Sequence, residues 1–187
     1  MDIVNEYKKL NSIATQQGVV VFGEGNDVNI PVSELKQSFN LDCTVYNRSF
    51  PSVSPDNAAE LYDKIVKPLN PDTLLLHVSA EYVKLPAEEF SKKYAELLRH
   101  IKSVNKRCRV IVISNGSKTI DETLKNVAES ENCEYVDLLI ASAWDPLATK
   151  AAAAFVKDMG INRFVYRQPV FDLIKIFFGF ERTVRAF

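Results

Sequence analysis

Val19-Val20-Val21-Phe22-Gly23-Glu24-Gly25-Asn26-Asp27 is an apolar run that breaks into a glycine-rich polar turn. The apolar part reads as a buried first strand, and the turn as the start of a site. In an α/β protein, ligands collect at the carboxyl ends of parallel strands, where the chain passes from strand to helix and backbone N–H groups are free. A ligand is therefore expected at residues 23–27. That turn holds no serine, threonine or cysteine, so a nucleophile is missing where this architecture would present one.

Working outward, five runs have strand character: residues 18–23, 43–49, 73–79, 109–115 and 134–139. They are short, rich in Val, Ile and Leu, and mostly continuous in apolarity, as strands covered on both faces should be. Helical periodicity fills the gaps. Ala58, Leu61, Tyr62, Ile65, Val66 and Leu69 recur on one helix face, with Ser54 and Pro55 as cap and first-turn proline. The longest helix is predicted over 87–103, with Phe90, Tyr94, Leu97, Leu98 and Ile101 buried and Lys92, Lys93, Glu96 and Arg99 solvated. Further helices are predicted over 117–130 and 146–159, the latter with Ala151 to Ala154 packed closely on the sheet. Strands alternating with helices argue for an α/β fold whose parallel sheet is wound on both sides. The sequence shows no internal repeat, low-complexity segment or linker.

The 187 residues suit a single domain, 1–187, with an apolar C-terminal extension over 168–187. With 23 Lys plus Arg against 24 Asp plus Glu, the net charge of -1 offers no general field for nucleic acid. The acidic, mixed start Met1-Asp2-Ile3-Val4-Asn5-Glu6 lacks the pattern of a secretory signal, so a cytoplasmic protein is expected. No apolar run approaches the roughly 18 residues of a membrane span. Cys43, Cys108 and Cys133 are scattered beside apolar stretches and read as reduced core residues. No disulfide framework, metal site or cofactor is expected.

Four turns, in order, resemble the sequence blocks of the GDSL, or SGNH, hydrolase superfamily over roughly residues 17–160. Val19 to Gly25 resembles the first block, an apolar strand followed by Gly-Asp-Ser. Val45-Tyr46-Asn47-Arg48-Ser49-Phe50 resembles the second, where Asn-Arg-Gly follows the second strand. Asn70-Pro71-Asp72 and the strand running on to Ser79-Ala80-Glu81 resemble the third, which leads into Gly-x-Asn-Asp. Trp144-Asp145-Pro146-Leu147-Ala148 resembles the last, Asp-x-x-His. The resemblance implies a three-layer α/β/α sandwich with a five-stranded parallel sheet in the flavodoxin-like order 2-1-3-4-5. It implies ester hydrolysis by a serine, a histidine held by an aspartate, and an oxyanion hole of backbone N–H groups and an asparagine.

Matched residue by residue, that machinery is missing. Gly25 stands at the nucleophile, after Glu24 in place of aspartate, and Asn26 follows. Ser49 stands at the oxyanion-hole glycine, and Ala80 replaces the asparagine, whose loss as a donor costs about 3 to 4 kcal/mol. Ala148 replaces the histidine, so Asp145 has no imidazole to orient. The expectation is a protein that has lost catalysis and acts in binding, scaffolding or regulation, with a carbohydrate or an acylated metabolite as ligand. The alternative is a weak or altered ester hydrolase using Ser49, Ser52 or Ser79. A purely structural subunit is a third reading.

The remaining polar residues have plain and sharp readings. His77 is a hydrogen-bonded structural histidine or, sharing a strand face with Ser79, half of a replacement dyad. His100 is expected to meet the C-terminal dipole of the long helix. Glu24, Asp27, Glu81 and Asp145 either converge on a hard cation or cap helices and face solvent. Arg48 is expected to pair with Glu24 or Asp27, and Trp144 either stacks on a sugar face or belongs to the core. The segment 170–180 closes the sheet or forms a surface for a homodimer or protein partner; a peripheral membrane contact ranks third, since Arg182 and Arg185 are few.

Overall fold

A computed structural model describes residues 2–38, 43–78, 80–115 and 118–137. The expected helix over 146–159, the alanine run, the extension over 168–187, Ser79, Trp144, Asp145 and Ala148 lie outside the described residues. Five parallel strands, β1 Val19–Gly23, β2 Val45–Asn47, β3 Thr73–His77, β4 Arg109–Ile113 and β5 Glu134–Val136, form one sheet in the order β2-β1-β3-β4-β5. With helices around it, this is the α/β fold expected from the sequence. From β1 the chain passes to β2 on one side and then crosses back to β3 on the other side of β1, so the carboxyl ends of β1 and β3 flank the topological switch point.

Both faces of the central strands are buried, which explains their unbroken apolarity. Val20, Phe22, Leu74, Leu76, Val110 and Val112 point one way into the main core, while Val19, Val21, Leu75, Ile111 and Ile113 point the other way and are buried as well. The amino ends are pinned by Asp72: its carboxylate accepts the Gly18 N–H at 2.9 Å and its carbonyl accepts the Arg109 N–H at 2.8 Å.

The first face is covered by α3 Ala58–Leu61, α4 Ala87–Val104 and α5 Lys118–Ser130. In α4 the expected stripe, Phe90, Tyr94, Leu97, Leu98 and Ile101, is buried throughout, each large side chain contributing about 1.5 to 3 kcal/mol. Helix α3 differs from expectation. Its chain passes at Tyr62 into a π turn, Tyr62–Val66, and then a 3-10 turn, Lys67–Leu69, while keeping Tyr62, Ile65, Val66 and Leu69 buried. It also starts later than the Ser54-Pro55 cap would place it. The Asn57 side chain accepts the Ser54 N–H at 2.9 Å, closing a turn through Pro55 before the helix begins.

Two helices are additional to those read from sequence: α1 Ile3–Asn11 and α2 Val32–Ser38. Asp2 caps α1 by accepting the Val4 N–H at 3.1 Å, and Lys8 and Lys9 lie in its last turn. Only Ile3, Val4 and Tyr7 of α1 pack on the core, and none of its residues is fully buried, so its apolar signal is weak. No helix among the described residues is long and apolar enough to cross a membrane.

Candidate functional site

The turn after β1 is a 3-10 turn, Gly25–Asn29, that begins with Gly25 at φ +63°. That conformation is natural for glycine and costly for a side chain. Gly25 and Asn26 are exposed, and a Cβ added at Gly25 would meet no atom within 4 Å. The position matching the nucleophile therefore opens on space, yet its backbone is engaged: the Gly25 N–H donates to the Phe50 carbonyl at 3.0 Å and the Pro51 carbonyl at 3.3 Å.

At the end of β2, Asn47 staples this turn to the sheet. Its amide donates to the Asp27 carbonyl at 2.7 Å and, at longer range, to the carbonyls of Val28 and Ile30, while its Oδ1 accepts the Ser49 N–H at 3.0 Å. Ser49 is fully buried. Its Oγ accepts the Gly23 N–H at 3.1 Å and its carbonyl accepts the Tyr7 hydroxyl at 2.7 Å.

Arg48 corrects the expected pairing with Glu24 or Asp27. The guanidinium turns toward α1, where Nε donates to Asn11 Oδ1 at 2.8 Å and a terminal nitrogen donates to the Asn47 carbonyl at 2.7 Å. It lies over the rings of Tyr7 and Tyr46, 5.2 and 5.3 Å from their centroids. Burial lowers its pKa and raises that of Tyr7, with the cation and the phenol each partly opposing the other's shift. The aromatic sandwich replaces a carboxylate because the ring faces stabilise a weakly hydrated planar cation.

Glu24 is buried and points across the strand ends, where one carboxylate oxygen accepts the Val53 N–H at 3.2 Å and the other accepts the Ala80 N–H. Glu81 pairs instead with Lys84 at 2.7 Å. The carboxylates thus turn to separate partners, and neither Glu24 nor Asp27 faces solvent as the plain reading expected. Among the described residues, no group of three or more His, Cys, Asp or Glu is placed to hold a metal ion.

Asp27 faces β3. Its Oδ2 lies 2.6 Å from His77 Nδ1, with the two side chains 2% and 14% exposed. Glycine at 23 makes room for this carboxylate, since a Cβ there would stand 2.1 Å from Asp27 Oδ2. The hydrogen-bonded histidine expected at 77 is found, half-buried and not fully buried, with Asp27 as the partner that the sequence did not name. The signal was present in the strand order, because β1 and β3 are neighbours with Gly23 opposite His77, and Asp27 is one short turn beyond. His100 also differs from expectation: α4 runs on to Val104, and the His100 ring turns its Nε2 to 3.1 Å from Asp63 Oδ1, edge-on to Tyr62, without hydrogen-bond alignment.

No family model and no curated protein matches this chain. The likeness is in three dimensions. A GDSL-like lipase from Bacteroides thetaiotaomicron superposes with a TM-score of 0.56 at 12% identity, covering 72% of this chain and 77% of that one. The psychrotrophic esterase EstA from Pseudoalteromonas sp. does so with a TM-score of 0.54 at 11% identity, covering 65% and 76%. An acetyl xylan esterase gives 0.53 at 14% identity, covering 64% and 76%. The fold is that of SGNH hydrolases, and identities this low carry the fold and not the chemistry.

Proposed function

We propose that this chain, built on the SGNH hydrolase fold, is a binding, scaffolding or regulatory protein that no longer performs serine-based ester hydrolysis. Its strand-end crevice takes a small molecule, a carbohydrate or an acylated metabolite. One observation carries the reading. The backbone N–H groups at the two positions matching the nucleophile and the oxyanion-hole glycine already have partners inside the fold, Gly25 on Phe50 and Pro51 and Ser49 on Asn47, while Ala80 has no side-chain amide in place of the asparagine. An acyl oxygen entering here finds none of these donors free to stabilise developing charge. Gly25 supplies no attacking atom, and Ala148, matching the histidine, supplies no base.

In this reading the protein works in the cytoplasm without nucleic acid, metal or cofactor, and residues 170–180 serve a homodimer or protein partner. A weak ester hydrolase is the second reading, favoured by the carboxylate-held imidazole of His77. Ser49 fits it poorly, since its hydroxyl is buried and accepts the Gly23 N–H; Ser52 is exposed. Turnover of a short-chain p-nitrophenyl ester separates the two. We expect none above background, together with a ligand-dependent thermal shift on a panel of sugars. Turnover abolished by replacing Ser49, Ser52 or Ser79 overturns the binding reading.

A further inference from the structure

We propose that His77 is the ligand contact of the crevice, its Nε2 serving as a preset hydrogen-bond acceptor for a hydroxyl group of a neutral polyhydroxyl ligand. The inference rests on the binding reading above and names its contact atom and ligand chemistry.

Location is the first argument. His77 ends β3 directly opposite Gly23 of β1, so the imidazole stands at the carboxyl-end crevice of the switch point, where ligands of doubly wound sheets bind. Orientation is the second. In the neutral imidazole a carboxylate oxygen at 2.6 Å favours the tautomer with the ring proton on Nδ1, donated to Asp27 Oδ2, which leaves a lone pair on Nε2. Asp27 is itself held on three sides. Its N–H donates to the Glu24 carbonyl at 3.2 Å, its carbonyl accepts the Asn47 amide at 2.7 Å, and its carboxylate fills the space left by the missing Gly23 side chain. A histidine positioned by a carboxylate so fixed does not need to reorganise on binding.

The third argument is what remains unused. Glu24, Asn47, Arg48 and Ser49 are turned to partners within the fold, whereas His77 has no hydrogen bond at Nε2 among the described residues and its side chain keeps 14% exposure. A lone-pair acceptor calls for an O–H or N–H donor. Asn26, exposed on the turn after β1 and next in sequence to Asp27, offers an amide that can donate and accept, and the space above Gly25 is open. Two buried carboxylates, Glu24 and Asp27, oppose an anionic ligand. A neutral polyol fits these conditions.

The test is nitrogen NMR of the two histidines of the full chain, assigned with His100→Gln. We expect His77 to carry its proton on Nδ1, and titration with xylitol or methyl glucoside to shift its Nε2 resonance while leaving His100 in place. Asp27→Asn, whose amide can donate to Nδ1, should move the ring proton to Nε2 and weaken the polyol response at least tenfold. If that variant does not fold, the wild-type titration decides alone. A wild-type His77 protonated on Nε2, or unmoved by both polyols, overturns the inference while leaving the lack of ester turnover untouched. Serine-dependent turnover would sink the binding reading without altering the His77 tautomer.

Discussion

His77 Nδ1 and Asp27 Oδ2 stand 2.6 Å apart across the carboxyl ends of β3 and β1, in a gap that exists because residue 23 has no side chain. The imidazole and the glycine opposite it are therefore one structural unit. Gly23→Ala would drive a methyl group into the Asp27 carboxylate, and overpacking of this kind costs about 1 to 3 kcal/mol. We expect a matching drop in the urea midpoint and loss of the slowly exchanging Nδ1 proton of His77. An unchanged midpoint with the proton retained would refute the contact.

Asn47 joins β2 to the turn after β1 through both ends of its amide. Asn47→Ala leaves the Ser49 N–H without a partner and the Asp27 carbonyl with the Ile30 N–H alone, a loss of about 1 to 3 kcal/mol. Asn47→Asp should be worse than alanine, because a carboxylate oxygen then faces the carbonyls of Asp27, Val28 and Ile30. Chemical denaturation of both variants checks the order, and an aspartate variant as stable as wild type would show that the amide is not oriented as described.

Gly25→Ser restores a hydroxyl at the position matching the nucleophile. The space is open, but φ is +63°, so we expect a cost of about 1 kcal/mol. Ester turnover should not emerge, because the neighbouring N–H groups keep their internal partners. A p-nitrophenyl acetate assay of folded variant against wild type reads this directly, and a rise of more than tenfold would mean that the oxyanion donors are available after all.

Alkaline pH should unfold the protein in a defined window. Burial pushes the Cys108 thiol up from 9.0 to about 12, and it raises the hydroxyls of Tyr62, Tyr82 and Tyr94 as well. The unfolded chain releases the Cys108 proton first, so the stability is whole below pH 9.0 and is lost as pH rises toward about 12. We expect the urea midpoint to hold from neutral pH to about 9 and then fall, with tyrosinate absorbance from the buried rings growing in step with unfolding. Full ionisation of the tyrosines in a chain that is still folded would contradict their burial.

Much of this architecture is legible in a line of text. The central residues of β1, β3 and β4 are apolar in continuous runs because both sheet faces are covered, and the stripe of α4 repeats at helical spacing because one face meets the core. Burial imposes these patterns locally, residue after residue. Helix α1 escapes the same reading since it packs only Ile3, Val4 and Tyr7, too little apolar surface to stand out from its charged neighbours. The turn at Pro55 escapes because Asn57 captures the Ser54 N–H, a competition that spacing does not reveal.

The candidate site divides along the same line. That a polar turn follows β1, and that Gly25, Ala80 and Ala148 lack the groups of a serine hydrolase, follows from residue identity in order along the chain. Partnership does not. Arg48 takes Tyr7, Tyr46 and Asn11 as partners in place of the Glu24 or Asp27 carboxylate, and Asp27 meets a histidine 50 residues away. A hydrogen bond is decided within a few tenths of an ångström and an angle of tens of degrees, and those are set by the strand register that brings Gly23 opposite His77. Periodicity assigns a residue to a layer; only the packed sheet settles which polar atom it touches.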